Sequence, residues 1–339
     1  MTPDMEFITL AHGSGGRATH QLIEKTILRH FGYPDDQGLQ DFSFLKFSAN
    51  AEVAFTTDSF VVNPLFFPGG DIGKLAVNGT VNDLAVGGAK PFVLSCSLII
   101  EEGLEIEVLD RIMASMATAA KTAGVRIVTG DTKVVEHGAA DRLFINTAGL
   151  GFLREDVKIR SYHAVPGDQI LLSGFIGDHG AAIVDARGEL ALDIPVESDC
   201  KPLNGLVEVM LDTSKEIHCL RDATRGGVAT VLKEFTDDSG FCLKLRETQI
   251  PVRDTVRGVC ELLGMDPLYL ANEGVLVAIV SANAAELILK AMKTHPFGKN
   301  ACCIGEVIED PKGTVLMETV FGGERIVDML FGDQLPRIC

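Results

Sequence analysis

Residues 72–100, IGKLAVNGTVNDLAVGGAKPFVLSCSLII, place a helical segment directly before a buried strand. Positions 72–86 are rich in small residues and predict a helix, whereas positions 92–100 are apolar and branched, which is typical of a buried strand. After this strand, residues 106–120 carry an apolar stripe at helical spacing, which predicts a second helix. Helical spacing also marks 17–30, and strands are predicted at 51–57, 125–129 and 143–150. This alternation predicts an α/β architecture of sheets covered by helices.

A charged, turn-rich segment, REDVKIRSYHAVPGD at 154–168, predicts a domain boundary. We therefore expect one domain at 1–155 and a second, also α/β, at 166–330. In the second domain the pattern predicts strands near 169–173, 241–245 and 275–280, further structure near 317–330, and helices near 178–187, 203–211, 226–237, 254–263 and 284–293. The last nine residues, FGDQLPRIC at 331–339, contain Gly, Pro and charge and predict an exposed, mobile tail.

The charge balance disfavours whole classes of partner. The 339 residues include 30 basic and 47 acidic side chains, a net charge of −17, which repels nucleic acid and anionic membrane surfaces. The longest apolar stretch, 92–100, is too short to span a bilayer, and the first residues lack the pattern of a secretory signal. We expect a cytoplasmic protein with reduced cysteines. Seven of its eight cysteines are expected to be packing residues, and the eighth, Cys339, is the last residue.

Four aspartates are candidate ligands for magnesium. Three apolar runs are expected to end at Asp58, Asp131 and Asp222, and Asp83 lies on the predicted helix at 72–86. Open α/β sheets bind ligands at strand ends, and magnesium takes one or two carboxylates together with phosphate oxygens. An aspartate alone is more often a cap or turn residue, and it is the coincidence with glycine-rich strings that makes these four candidates.

Glycine-rich strings accompany these aspartates: HGSGGR at 12–17, GDTKVV at 130–135, DATRGG at 222–227 and NEG at 272–274. Clustered glycines let backbone N–H groups converge on phosphate oxygens, which indicates a nucleotide, although glycine pairs also make ordinary turns. Residues 69–75 resemble a Walker loop but fail it, because Leu75 replaces the required hydroxyl. Residues 13–18 satisfy a permissive dinucleotide pattern, which remains an alternative.

The chain terminates in PRIC, and Cys339 cannot belong to a prenylation box because Pro336 stands where that box needs its cysteine. Nine extended residues reach about 30 Å. A terminal thiol on such a tail can enter a pocket and leave it again, although chance placement of one cysteine is the simpler alternative.

Together with NDLAVGGAKP at 82–91, these strings and the terminal PRIC resemble the HypE family of hydrogenase maturation proteins over essentially the whole chain. The glycine strings are shared with the wider group of aminoimidazole ribonucleotide synthetase and selenophosphate synthetase. The resemblance implies a two-domain fold of that group, with a mixed sheet and packed helices in each domain and a flexible C-terminal tail. It also implies a homodimer formed through the N-terminal domains, which hold ATP and Mg²⁺.

The implied reaction is the ATP-dependent dehydration of a carboxamide on Cys339 to a thiocyanate, which supplies the cyano ligand of the iron in nickel–iron hydrogenase. The implied carbamoyl donor is the carbamoyltransferase HypF, and the implied acceptor of cyanide is the HypC–HypD complex.

The resemblance also implies roles for individual residues. Glu273 is the expected base, and Lys133 a second base or a phosphate stabiliser. Magnesium and phosphates are assigned to Asp58, Asp83, Asp131 and Asp222. Nucleotide contacts are assigned to His12, Gly15, Arg17, Asn82, Asp131, Thr132, Asp222, Thr224 and Asn272. His12 could instead be a capping or core residue, and Asn272 either orients Glu273 or the substrate amide or makes a turn.

Two other functions stay open at this point. The chain could be a small-molecule kinase of the same group in which Cys339 is incidental, or a non-enzymatic scaffold that presents a thiol tail. The scaffold leaves the acidic positions and the motifs around Lys133 and Glu273 without a purpose.

Overall fold

The computed structural model describes residues 7–32, 45–48, 50–155, 157–188, 196–329, 335 and 337–339. Its first half contains strands β1 (Val53–Phe60), β2 (Phe66–Phe67), β3 (Gly70–Asp71), β4 (Ala89–Glu101), β5 (Arg126–Val135) and β6 (Leu143–Leu153). The helices are α1 (Arg17–Leu22), which continues through a π-helical turn (Ile23–Leu28) into α2 (Arg29–Phe31), then α3 (Ile72–Val86) and α4 (Ile106–Ala123).

The first sheet has the order β1-β6-β4-β5, with β4 and β5 parallel and the other pairs antiparallel. Helix α3 begins where it was predicted because Asp71 caps it: the Asp71 carboxylate accepts from the Gly73 and Lys74 amides at 2.8 and 3.1 Å. A Cβ on Gly73 would lie 2.6 Å from the Ile112 carbonyl oxygen. That glycine therefore allows α3 to pack closely against α4.

The second half contains β7 (Gln169–Leu172), β8 (Ile217–Asp222), β9 (Cys242–Arg246), β10 (Leu276–Val280), β11 (Cys302–Ile308), β12 (Val315–Glu318) and β13 (Glu324–Val327). They form one sheet, β13-β12-β9-β11-β7-β10-β8, in which only β9 and β12 pair in parallel. Its helices are α5 (Asp178–Ala186), α6 (Asn204–Thr213), α7 (Gly227–Ser239), α8 (Asp254–Leu263) and α9 (Ala282–Thr294). One apolar cluster joins α7 to the sheet and another joins α6 and α9 to it. The two mixed sheets with packed helices confirm the predicted fold class.

A third apolar cluster joins the two halves. It contains residues of α3 and α4 together with residues of α5 and α8. The second sheet also approaches the first half directly, because α3 contacts β8. The predicted boundary between the halves stays a prediction, whereas this interface positions the candidate site.

The predicted strand ends were wrong at two aspartates. Asp58 lies inside β1 and Asp131 in the middle of β5, and only Asp222 is the last residue of its strand. Strands β1 and β5 continue past these aspartates through further polar residues. Each is an edge strand, and its backbone pairs with one neighbouring strand along its whole length. Strand β11 was not predicted, since its sequence CCIGEVI lacks a clear alternation.

The described part of the C-terminal tail is docked on the body of the protein. Leu335 and Ile338 are buried. The expectation of an exposed tail was therefore wrong for these residues, because their apolar side chains join the cluster between the halves. Residues 331–334 and Pro336 lie outside the described residues. No helix within the described ranges is long and apolar enough to cross a membrane.

Candidate active site

Two of the predicted aspartates meet where α3 crosses β1. The Thr56 hydroxyl donates to the Asp83 carboxylate at 3.1 Å, and Asp58 lies two residues further along the same face of β1. Burial raises the pKa of Asp83 to about 6, and the negative charge of Asp58 adds to the shift. A Cβ on Gly79 would lie 2.9 Å from the Phe60 ring, so this glycine allows the helix to approach the strand.

Asp222 joins them from the second half. It is buried at the end of β8, and burial followed by the charges of Asp83 and Asp58 raises the pKa of Asp222 to about 7. Three carboxyl groups that resist ionisation together form a site with excess negative potential. That donor set suits a magnesium ion, which prefers oxygen ligands.

The acidic groups do not form a complete protein cage. Within the described ranges no group of three or more His, Cys, Asp or Glu side chains is arranged to hold a metal ion. The residues therefore fit the mode in which one or two carboxylates and the phosphates of a substrate share the cation. The assignment of individual metal ligands stays a prediction.

Glu273 is buried beside this cluster, with 3% of its surface exposed. Its Oε1 has no hydrogen-bond partner. The pKa of Glu273 is raised well above its ordinary value, first by burial and then by the charges of Asp199 and Asp222. A carboxyl group with a raised pKa is a stronger base than an exposed one, which is a property that general acids and bases share.

The loop around Glu273 is held by Asp199, which carries no motif and was missed by the sequence reasoning. Its carboxylate accepts from the Glu273 and Gly274 amides, both at 3.0 Å. Asn82 on α3 donates to the Glu273 carbonyl at 3.4 Å and to the Lys201 carbonyl at 3.2 Å. Asn82 therefore joins the two halves at this loop.

Asn272 is fully engaged with the backbone. Its Oδ1 accepts from the Gly177 amide at 2.7 Å, and its Nδ2 donates to the Ala223 carbonyl at 2.8 Å. It thereby fixes Glu273 next to the turn that follows Asp222. Thr224 lies in that turn, where its carbonyl accepts from the Gly227 amide at the start of α7.

The other predicted site residues form a second group on β5. The Lys133 ammonium donates to both carboxylate oxygens of Asp131 at 2.7 Å, and both side chains are exposed. The Thr132 amide donates to Asp131 as well, at 2.8 Å.

The HGSGGR string, residues 12–17, packs against β5. A Cβ on Gly13 would lie 2.8 Å from the Val134 nitrogen. His12 is buried and its Nδ1 accepts from the Thr9 amide at 3.0 Å, so it caps the short turn at Leu10–Gly13. Gly15, with a φ of +78°, directs the chain into α1, which begins at the exposed Arg17.

The two groups do not meet within one chain. Strands β1 and β5 are the opposite edges of the first sheet, three strand spacings or roughly 14 Å apart. Asp58 pairs with Thr147, which is buried under α3, whereas Asp131 pairs with Ser97 on the other face. The spacing of the motifs along the sequence carried no signal of this separation.

The docked tail ends near the first group. The Val61 amide donates to the Cys339 carbonyl at 3.0 Å, and the Asn63 amide donates to the Arg337 carbonyl at 3.1 Å. The tail thus pairs with the residues that follow β1, three positions beyond Asp58. The Arg337 guanidinium forms an ion pair with Asp141.

His179 on α5 holds the tail from the other side. Its Nε2 donates to the Ile338 carbonyl at 2.6 Å, while its Nδ1 accepts from the Ser198 hydroxyl at 2.8 Å. Burial lowers the pKa of His179 to about 4, so the ring is neutral at pH 7 and this tautomer is the one that satisfies both partners. The Ser198 hydroxyl oxygen also accepts from the Cys200 amide at 3.1 Å, which links the tail to the segment holding Glu273.

Comparison with known proteins identifies the family to which the chain is similar. Residues 35–153 match the N-terminal domain and residues 165–318 the C-terminal domain of the family described as AIR synthase related protein. Carbamoyl dehydratase HypE of Rhodobacter capsulatus is 50% identical over 338 residues, which cover 98% of each chain.

Two solved structures are also similar. A crystal structure of the hydrogenase maturation protein HypE in complex with ATP has a TM-score of 0.93 at 48% identity and covers 97% of this chain and 99% of that one. A HypE–HypF complex has a TM-score of 0.80 at 52% identity, with 82% and 90% covered. The chain therefore belongs to the AIR synthase related protein family and, within it, to the carbamoyl dehydratase HypE family.

Proposed function

We propose that this chain dehydrates a carboxamide on its own Cys339 to a thiocyanate with ATP as the activating substrate. The observation that supports it best is the docked tail. Cys339 is held next to Val61, on the continuation of the strand that carries Asp58, and His179 and Ser198 connect its neighbour Ile338 to the segment beside Glu273. ATP binding is supported by the ATP complex of a similar protein.

The reaction balances as follows. The carboxamide oxygen attacks the γ-phosphorus of ATP, and the bond to ADP breaks. The phosphorylated oxygen then leaves the carbon as inorganic phosphate while the nitrogen gives up its two protons, one of which stays on phosphate. The products are the thiocyanate, ADP, phosphate and one proton.

Within that scheme the buried Glu273 accepts a proton from nitrogen, for which its raised pKa suits it. Asp58, Asp83 and Asp222 would hold magnesium together with the phosphates, and the ion would neutralise charge on the transferring group. Asp131 is a further candidate ligand, and Lys133 remains a candidate base or phosphate stabiliser.

The partners follow from the chemistry and the relatives. We propose a HypF protein as carbamoyl donor, because a similar HypE forms a complex with HypF. The thiocyanate would pass to a HypC–HypD complex for the iron of a nickel–iron hydrogenase. A reduced cytoplasmic setting fits the seven free thiols that precede Cys339.

We also propose a homodimer formed through the first sheet. The face of the sheet opposite α3 carries Phe55 and Ile99, which are 69% and 44% exposed, and their cross-strand neighbours Leu150 and Phe144 lie on the same face. An apolar surface of this kind favours burial against a second copy. Lys133 pairs with Ile99 in register, so it would lie at that interface.

The test is the mass of the C-terminal peptide after incubation with ATP and a carbamoyl donor system. We expect a carboxamide and then a thiocyanate on Cys339, and neither in Cys339→Ala. Cys303→Ala, a change at another partly exposed thiol, should behave as the unaltered chain. An unmodified tail in the unaltered chain, with phosphate transferred to a free small molecule, would favour the kinase alternative.

A further inference from the structure

Two buried residues that contact the segment 199–201 each carry an oxygen atom without a hydrogen-bond partner. The two atoms are Oδ1 of Asn78 and Oε1 of Glu273. Asn78 is 1% exposed and Glu273 3% exposed. A buried acceptor left unpaired is costly, so two of them on residues that contact one segment indicate a donor group that the protein alone does not supply.

The Cys200 thiol contacts Asn78, and the amide of the next residue, Lys201, donates to the Glu273 carbonyl at 3.3 Å. Asn78 Nδ2 donates to the Cys200 sulfur at 3.4 Å, which directs the Asn78 oxygen away from that sulfur. Burial, and after it the charge of Glu273, raises the pKa of the Cys200 thiol. The same thiol is shielded from water, so it acts as an uncharged wall of the site.

The backbone segments that carry the two acceptors are held in position. Asn78 lies on α3, one turn before Asn82, whose amide is fixed by the Lys201 and Glu273 carbonyls. Asp199 fixes the backbone of Glu273 from the other side. The backbone positions of the two residues are therefore set before any ligand arrives, as a recognition site requires.

We propose that Asn78 Oδ1 and Glu273 Oε1 form the pocket that binds the NH₂ group of the carboxamide. A primary carboxamide is planar and presents two N–H donors in different directions, which matches two separate acceptors. Asn78 is then a binding residue that selects a primary amide, and Glu273 is the group that removes a proton from it. This inference rests on the proposed function, because the carboxamide is the one carried by Cys339.

The first experiment tests the pocket without the reaction. The probe is S-methyl thiocarbamate, a free analogue of the modified cysteine, added to the full chain carrying Cys339→Ala. Its N,N-dimethyl derivative has the same shape around sulfur but no N–H donor. We expect the dimethyl compound to bind at least about 10-fold more weakly, because a site built for N–H groups rejects an analogue lacking them. Equal binding would overturn the proposal.

A variant locates the effect. Asn78→Ala should weaken thiocarbamate binding about 10-fold and leave ATP binding unchanged. The matched control is Asn204→Ala, whose amide donates to the Ala123 carbonyl at 2.8 Å away from this pocket, and it should bind the probe normally. Unchanged probe affinity in folded Asn78→Ala would also overturn the proposal.

The reaction gives the second readout. In the chain with Cys339 intact, Asn78→Ala should load carboxamide normally and convert it about 10- to 100-fold more slowly in a single turnover. If the unaltered chain makes no thiocyanate, the proposed function fails, and the probe comparison still decides whether this pocket binds a primary amide.

Discussion

At the scale of single residues, burial decides the chemistry of the site. Asp83, Asp222 and Glu273 are shielded from solvent and lie near other acidic side chains, and for both reasons the pKa of each is raised. The sequence motifs identified these residues as candidates. They could not show Asp199 or His179, which act through hydrogen bonds to segments distant in the chain.

The raised pKa of Asp222 predicts a pH dependence of stability. Its pKa is about 7 in the folded chain and about 4 when unfolded, so the folded state binds more protons between these values. The free energy of unfolding should therefore fall as pH rises from about 4 to 7. Asp222→Asn should reduce this slope and raise the Tm at pH 8 by about 2–4 °C.

Thermal unfolding at several pH values measures that effect. Asp212→Asn is the control, since Asp212 is an exposed partner of Arg154. Magnesium with ATP should raise the Tm of the unaltered chain more at pH 8 than at pH 5.5. An identical slope in Asp222→Asn and the unaltered chain would refute this interpretation.

The role of Glu273 predicts that Glu273→Gln accumulates the carboxamide, because the amide side chain keeps the shape but cannot accept the proton. We expect conversion to fall by at least about 100-fold, with ATP affinity retained. Mass measurement of the tail peptide over time follows both species. Normal thiocyanate formation would remove Glu273 from the mechanism.

At the scale of elements, the positions of helices could be predicted from the sequence and the ends of strands could not. The predicted helix at 72–86 coincides with α3, since its small residues, its Asp71 cap and its apolar surroundings favour the same structure. The ends of β1 and β5 are set by pairing with neighbouring strands, and local sequence does not encode the length of that pairing. The docking of the C-terminal tail could not be predicted for the same reason, because its hydrogen-bond partners lie far away in the sequence.

The contact between His179 and the tail predicts that a change of His179 slows dehydration without slowing acceptance of the carbamoyl group. His179→Ala removes the hydrogen bond to the Ile338 carbonyl, so the tail should spend less time docked and dehydration should slow about 5- to 30-fold. Acceptance of the carbamoyl group from the donor should be unchanged. His295→Ala is the control, because His295 caps a short turn elsewhere.

Single-turnover rates of the two half-reactions decide this prediction. Loss of both half-reactions in equal measure would indicate a purely structural role for His179. Undiminished dehydration would show that the docked tail is not the reacting arrangement.

At the scale of the whole molecule, the candidate residues divide into two groups on opposite edges of one sheet. Lys133 and Asp131 lie on the open face, which is the face of the first sheet opposite α3. The group of Asp58, Asp222 and Glu273 lies at the junction of the two halves. A dimer packed through the open face could combine residues of both copies, as symmetric interfaces often do.

Complementation tests that arrangement. Lys133→Ala and Glu273→Gln should each be inactive alone, and after mixing and exchange of subunits about a quarter of the sites should recover, because half the dimers are mixed and each has one intact site. Lys121→Ala with Glu273→Gln is the control, since Lys121 lies on α4. No recovery in confirmed mixed dimers would place both residues in the same chain's site.

The fate of the carboxamide oxygen tests the proposed dehydration on Cys339 directly. Chain loaded with oxygen-18 carboxamide on Cys339 is mixed with ATP and magnesium for a single turnover, and the phosphate is analysed by mass spectrometry. We expect one labelled oxygen in inorganic phosphate for each thiocyanate formed. Label released as water, or thiocyanate formed without phosphate, would contradict this proposal.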